Sequence, residues 1–223
     1  MSPWRAARIA LLVLLPKACA QRSVESATLP LLVAIRTGPE LRLRRDLPLD
    51  AANAEPSPAG APLPQSAMIH VFDTTSLAGG PWYVNDHTLV QAPDGVWHLF
   101  GIFHHELVDG DAEVDFIHAL SDEPDLATWQ EGTFHAAPGE LSIALTADRS
   151  LGETHLWAPH VVAAEGRWFM IYQGGGDGDH ASIRLAESDD LYRWRRASNL
   201  PLFEDLCVAR DPMLVRRGPL WSL

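Results

Sequence analysis

From about Met68 onward the chain is a series of short apolar runs separated by turn-forming residues, and no segment keeps a helical period over three turns. The clearest case is Trp82 to Phe103, WYVNDHTLVQAPDGVWHLFGIF. Asp86 stands just ahead of Thr88-Leu89-Val90, a turn follows at Pro93-Asp94-Gly95, and Val96 to Phe103 is rich in aromatic and branched residues. Asp and Gly tolerate the φ > 0 of a tight turn, so the pattern predicts a β-hairpin. In an isolated hairpin Asp86 would simply cap the turn.

The pattern returns. Asp94 to Phe100 (DGVWHLF) has a counterpart in Glu165 to Ile171 (EGRWFMI), each an acidic-Gly turn with Trp two residues after the Gly. Phe116 to Ser121, followed by Asp125-Leu126-Ala127-Thr128-Trp129, matches Ile183 to Ser188, followed by Asp190-Leu191-Tyr192-Arg193-Trp194. The offsets are 71 at the turn glycines and 65 at the closing tryptophans, so the units share a layout with a variable loop between. A third unit starts at Arg210 to Val215, turns at Gly218 and reaches Trp221. Repeats of about four short strands are what β-propeller blades look like, and each blade buries its faces against its neighbours. The expected fold is therefore all-β: a β-propeller with about two and a half blades present. A sandwich of two similar hairpins is the competing layout, but it leaves the repeated D-L-x-x-W unexplained. A ring needs at least four blades, so the expectation at this level is a truncated or frame-shifted chain, or a fragment that never folds.

Before Met68 the chain has another character. Arg5 and Arg8, the apolar run Ile9 to Leu15 and Ala18-Cys19-Ala20 read as a signal peptide cleaved after Ala20, which predicts a secreted or periplasmic protein. An ordinary N-terminal helix and a lipoprotein signal on Cys19 are the competing readings. The run is too short for a membrane span. Residues 21–67 read as a linker: Ala51 to Pro64 is Pro/Ala-rich and offers too little burial to offset its ordering. Leu31 to Ile35 is either one strand or no stable element. The domain proper is 68–223.

The 223 residues carry 17 basic against 29 acidic side chains, a formal charge of −12, and Lys17 is the only lysine. Cleavage would remove three basic residues and no acidic one, leaving −15 and the single cysteine Cys207. No internal disulfide can then form, and no cysteine pair with zinc spacing exists. A chain this acidic, with no basic patch, is not expected to bind nucleic acid.

The heads of the three units are Asn85-Asp86-His87, Trp157-Ala158-Pro159-His160 and Arg210-Asp211-Pro212. First strands line the channel of a propeller, so these segments should converge. Two bring carboxylates, and paired carboxylates flanking a bond are what glycoside hydrolysis requires. Trp82, Trp157, His87 and His160 suit stacking on sugars and bonding to hydroxyls. Turn capping by both aspartates is the competing role.

These segments resemble the five-bladed β-propeller glycoside hydrolases, the superfamily that holds families 32, 43, 68 and 117. The resemblance covers about Met68 to Trp221. Asn85-Asp86 is similar to the W-x-N-D-P head of the fructosidases, whose Asp is the nucleophile and in family 43 the general base; here His87 replaces the proline and Trp82 is displaced. Trp157-Ala158-Pro159 resembles the W-A-P segment of family 43, and Arg210-Asp211-Pro212 the R-D-P motif, whose Asp stabilises the transition state or tunes the acid. The resemblance implies catalytic roles for Asp86 and Asp211. It implies a carbohydrate substrate (fructoside, arabinoside, xyloside or related) held by Asn85, His87, Trp157, His160 and Arg210. It also implies an acid Glu in the following blade; Glu153 and Glu187 do not stand at that position, so a copy with little or no activity is expected. A carbohydrate-binding propeller without catalysis is the rival.

Other signals point to nothing more. Gly174 to Gly178 lacks the Lys-Ser/Thr of a phosphate loop and is expected to be an inter-strand loop. His104-His105-Glu106 lacks zinc-helix spacing, although His104 remains a candidate sugar contact. Asp109-x-Asp111-x-Glu113-x-Asp115 misplaces the Gly and Glu of a calcium loop and is expected to be a solvated acidic loop. No cofactor and no metal are expected.

Overall fold

The structure, a computed structural model, describes residues 32–33, 68–74, 77, 80–105, 113–175, 181–205, 210–217 and 220–223. The expected signal peptide, nearly all of the linker, Cys207 and the Gly218 turn lie outside the described residues. In chain order the strands are β1 (Leu32–Val33), β2 (Trp82–Gln91), β3 (Trp97–His105), β4 (Asp115–Ser121), β5 (His135–Ala136), β6 (Ile143–Thr146), β7 (Leu156–Ala164), β8 (Arg167–Gly175), β9 (Ala181–Ser188), β10 (Arg195–Arg196), β11 (Phe203–Asp205), β12 (Val215–Arg217) and β13 (Leu220–Ser222). Among the described residues no helix is long and apolar enough to cross a membrane.

The strands pair antiparallel into three sheets, and the first two share one plan. The first runs β2-β3-β4 with β5 and β6 both on β4; the second runs β7-β8-β9 with β10 and β11 both on β9. The expected four-strand blade is present twice, with its outer strand in two pieces. Pro138 lies between the pieces in the first blade and Pro201 in the second, and proline has no N–H to give a ladder. Part of a third blade follows: β12 pairs with β13, and β1 adds to β13 through Leu32↔Ser222 and Val33↔Trp221. The Leu31 to Ile35 run therefore does contain a strand. The fold is all-β, two β-propeller blades and part of a third.

The repeated signatures have local causes. Glu165 (φ 53) and Gly166 (φ 73) form the two-residue turn that joins β7 to β8, the left-handed pair that suits the twist of a hairpin. In each D-L-x-x-W the aspartate holds the chain after the third strand. Asp125 Oδ1 accepts the Ala127 N–H at 3.0 Å, and Asp190 Oδ1 accepts from Tyr192 and Arg193, both at 2.8 Å. The tryptophans then cover equivalent faces. Trp97 and Trp129 meet edge-on on the outer face of the first blade, while Trp168 and Trp194 pack into the seam between the blades. That seam is the main core, built on Phe100, Phe116, Leu156, Met170 and Tyr172, all fully buried. Burying each such side chain contributes about 1.5–3 kcal/mol.

Two polar clusters lie inside this packing. Glu153, fully buried, accepts from Tyr172 Oη at 2.9 Å, the Asp148 N–H at 2.8 Å and Arg196 Nε at 3.0 Å, with Arg196 Nη2 on its second oxygen. Burial beside this carboxylate pushes the Tyr172 phenol up. In the second cluster His118 Nδ1 lies 3.1 Å from the Leu141 carbonyl, so that nitrogen carries the proton. His118 Nε2 is then bare and accepts from His98 Nδ1–H at 2.8 Å. The pair stacks beneath Tyr192, and burial lowers each imidazole from 6.5 to about 4.

The unfolded chain takes up these protons near pH 6.5, whereas the folded chain resists them until about pH 4. The stability is thus whole above pH 6.5 and is lost as pH falls through that window. The melting temperature is expected to drop between pH 7 and pH 5, and the double substitution His98→Gln/His118→Gln is expected to flatten the dependence. Equal slopes in parent and variant would show that other groups set it.

Candidate functional site

Each head segment is a place where regular pairing breaks. In β2, Asn85 pairs with Ile102 and His87 with Gly101, so Asp86 is an extra residue bulged out of the ladder. Asp86 thus sits within a ten-residue strand rather than ahead of one, because the aromatic start Trp82-Tyr83-Val84 also pairs with β3. A bulge re-aims side chains, which is why bulges collect beside functional sites. Gly101 makes this one possible: a Cβ there would lie 2.6 Å from Val84 Cγ1 and 3.0 Å from His87 Cβ.

The second blade repeats the device in β7. The register shifts between Trp157 and His160, and Ala158 takes φ 46. In the third head Asp211 takes φ 52 ahead of buried Pro212. Non-glycine residues held at positive φ cost on the order of 1–3 kcal/mol, and they persist where the surroundings enforce them. Aligned on these breaks, Asp86, Ala158 and Asp211 are equivalent. So are two hydrogen bonds that link successive blades. The Val161 N–H donates to Thr88 Oγ1 at 3.5 Å, and the Leu214 N–H donates to His160 Nδ1 at 3.1 Å.

The heads meet around a cavity of about 390 Å³ lined by Asn85, Asp86, Ile102, Glu113, Trp157, Arg210 and Asp211. Arg210 lies over the Trp157 indole, 4.9 Å from guanidinium carbon to ring centroid. Asp86 and Asp211 are exposed. The capping work that residue type alone also allowed them is done elsewhere, by Asp125, Asp148 and Asp190. Asn85 Oδ1 and Trp157 Nε1 are buried without a hydrogen-bond partner, one acceptor and one donor on two residues that line the cavity.

Five of the nine expected site residues therefore come together here: Asn85, Asp86, Trp157, Arg210 and Asp211. The other four lie outside the lining. Trp82 stacks on Phe103 at 4.7 Å on the outer face of the first blade. His87 is exposed opposite Gly101. His160 is the link to the third blade, and burial lowers its pKa, keeping Nδ1 bare to accept. His104 is buried, donates through Nδ1 to the His105 carbonyl at 2.8 Å and turns Nε2 toward Glu113.

Two expectations are corrected. Glu113 does not belong to a solvated acidic loop: it is buried, because its carbonyl accepts the Leu156 N–H at 2.8 Å and draws it into the seam between blades. Acidic alternation alone could not separate it from Asp115; its place just before the apolar run of β4 was the one available signal. Gly174 and Gly175 are not loop but the buried end of β8, and they are glycine because of close packing. A Cβ on Gly174 would lie 2.9 Å from Arg184 Cδ. Glu153 and Glu187 are structural; Glu187 pairs with Arg167 and Arg195 at 2.9 and 3.0 Å. Among the described residues no group of three metal-ligating side chains occurs.

The substitution Gly101→Ala tests the bulge. Its Cβ would force Val84 or the Asn85 carbonyl to move, at an expected cost of about 1–3 kcal/mol in urea denaturation. A change within experimental error would mean that the bulge relaxes freely.

No family model and no curated protein matches this chain. Solved structures share its strand layout in part. A β-xylosidase/α-arabinofuranosidase of family GH43 from a compost microbial metagenome is 16% identical with a TM-score of 0.40, covering 53% of this chain and 35% of its own. An endo-arabinase from Bacteroides thetaiotaomicron is 16% identical with a TM-score of 0.40, covering 61% and 39%. The GH32 β-fructofuranosidase BmSUC1 of Bombyx mori is 15% identical with a TM-score of 0.42, covering 60% and 27%. The chain spans well under half the length of each of these enzymes.

Proposed function

We propose that the cavity at the three heads is a glycoside hydrolase site of the five-bladed propeller type. One observation carries the reading: the two motif carboxylates, Asp86 and Asp211, are 125 residues apart in the chain yet line the same cavity, with Trp157 and Arg210. Asp86 acts as base or nucleophile at the anomeric carbon. Asp211 stabilises the positive charge that develops on the sugar ring, or tunes the acid. Asn85 Oδ1 accepts from a hydroxyl and Trp157 Nε1 donates to one, which removes the cost of two buried unpaired groups. Arg210 and His155 both lie against the Trp157 indole, at 4.9 and 3.7 Å, and fix the orientation of its N–H.

The substrate class is a neutral glycoside (fructoside, arabinoside, xyloside or related), met outside the cytoplasm if residues 1–20 act as an export signal. Protonation of the leaving oxygen, worth roughly 10²- to 10⁴-fold, is supplied by neither Asp86 nor Asp211 in this reading. The roles assigned here therefore act most directly on glycosides whose leaving group needs no protonation. The rival is a propeller that binds carbohydrate without cleaving it, and the unpaired Asn85 and Trp157 atoms would serve it equally well.

Dinitrophenyl glycosides separate the two, because their leaving group needs no protonation. The expected result is measurable hydrolysis of at least one dinitrophenyl pentoside or fructoside. Asp86→Asn should lower it by at least about 100-fold while leaving the melting temperature and sugar affinity nearly unchanged. Sugar binding without any such hydrolysis would assign the chain to the binders; neither binding nor hydrolysis would overturn the site.

A further inference from the structure

The roles proposed above use every ionisable group of the cavity except Glu113. This glutamate is 8% exposed, and its carboxylate oxygen Oε1 lies 3.4 Å from both His104 Nε2 and the Tyr83 hydroxyl. The Tyr83 hydroxyl donates at the long end of hydrogen bonding, whereas His104 Nε2 makes no hydrogen bond, so the carboxylate is steered without being satisfied. His104 and Tyr83 are themselves fixed, meeting edge-on at 3.8 Å, with His104 Nδ1 committed to the His105 carbonyl. The backbone of Glu113 is tied to Leu156, the residue before Trp157. A costly buried carboxylate thus lines the same cavity as Asn85 and Trp157, whose Oδ1 and Nε1 are also without hydrogen-bond partners. The cavity holds three carboxylates against one guanidinium, a field that repels anions and suits hydroxyl donors.

We propose that Glu113 is a specificity-determining contact of this site, its carboxylate accepting a hydroxyl of the glycosyl unit that Asp86 addresses, and that Tyr83, whose hydroxyl donates to it, is its positioning residue. The inference rests on the glycoside reading of the cavity and adds a hydroxyl requirement and an exclusion of acidic sugars. A site built to accept one hydroxyl rejects the analogue that lacks it, because the buried acceptor is left unpaired.

The test is binding by calorimetry of methyl xyloside, arabinoside, fructoside and galactoside, of their monodeoxy analogues, and of glucuronic acid. The unaltered chain is expected to bind at least one neutral glycoside, to discriminate against one deoxy analogue by about tenfold or more, and to reject glucuronic acid. Glu113→Gln and Glu113→Asp should keep their melting transitions, lose that discrimination and, for the Gln variant, admit glucuronic acid. Tyr83→Phe, which removes the hydroxyl that donates to Glu113 and keeps the ring, should mimic the loss. If the parent binds sugar and Trp157→Ala weakens that binding, yet both Glu113 variants keep the parent's ranking, this inference fails and the site stands. If the parent binds no sugar, the site itself fails, and this inference with it.

Discussion

The structure depends on the contact between successive first strands. A blade has two apolar faces and only four short strands, so by itself it leaves apolar surface in water that only a neighbouring blade can cover. Placing β2 beside β7 closes the seam over Phe100, Phe116, Met170 and Tyr172. The same approach brings a side chain from each first strand to a backbone N–H of the next, Thr88 to Val161 and His160 to Leu214. Packing and site are therefore one constraint: the strands that must touch to bury the core are the strands whose irregular segments face the cavity.

Two buried glutamates show how differently the fold treats a charge. Glu153 receives Arg196 through two nitrogens, Arg184 at 3.5 Å, the Tyr172 hydroxyl and the Asp148 N–H. Its lone pairs are spoken for, and it fastens the second blade to the loop that enters it. Glu113 is nearly as buried, yet it has only two long contacts and an open cavity beside it. Burial alone does not separate structure from function in this molecule; the number and length of the compensating contacts does.

Much of the fold could be read from the chain because each repeat signature has a local cause. The acidic-Gly turns, the Asp of D-L-x-x-W and the paired tryptophans act within a few residues or across one ladder, so residue type and spacing carry them. The site was half legible for the same reason. Asn85, Asp86, Trp157, Arg210 and Asp211 belong to the repeating heads. Glu113 escaped because it reaches the cavity through a tertiary hydrogen bond to Leu156 from outside any repeated element. His104 and His160 were marked for their chemistry; the structure places one beside Glu113 and one between blades, outside the lining of the cavity. No periodicity distinguishes an imidazole that meets a ligand from one that meets a backbone amide.

Ala158 has the same place in its blade as Asp86 and Asp211 in theirs, and the same left-handed turn as Asp211. The backbone presents one inward-facing position per blade, independent of what stands there. Chemistry around such an axis can be rewritten one codon at a time, as on a dial whose stops are already cut, and the methyl group of Ala158 marks a stop left blank. Two acids and one blank make a lopsided rotor out of a near-symmetric one, an asymmetry of chemistry that the repeating backbone does not itself contain.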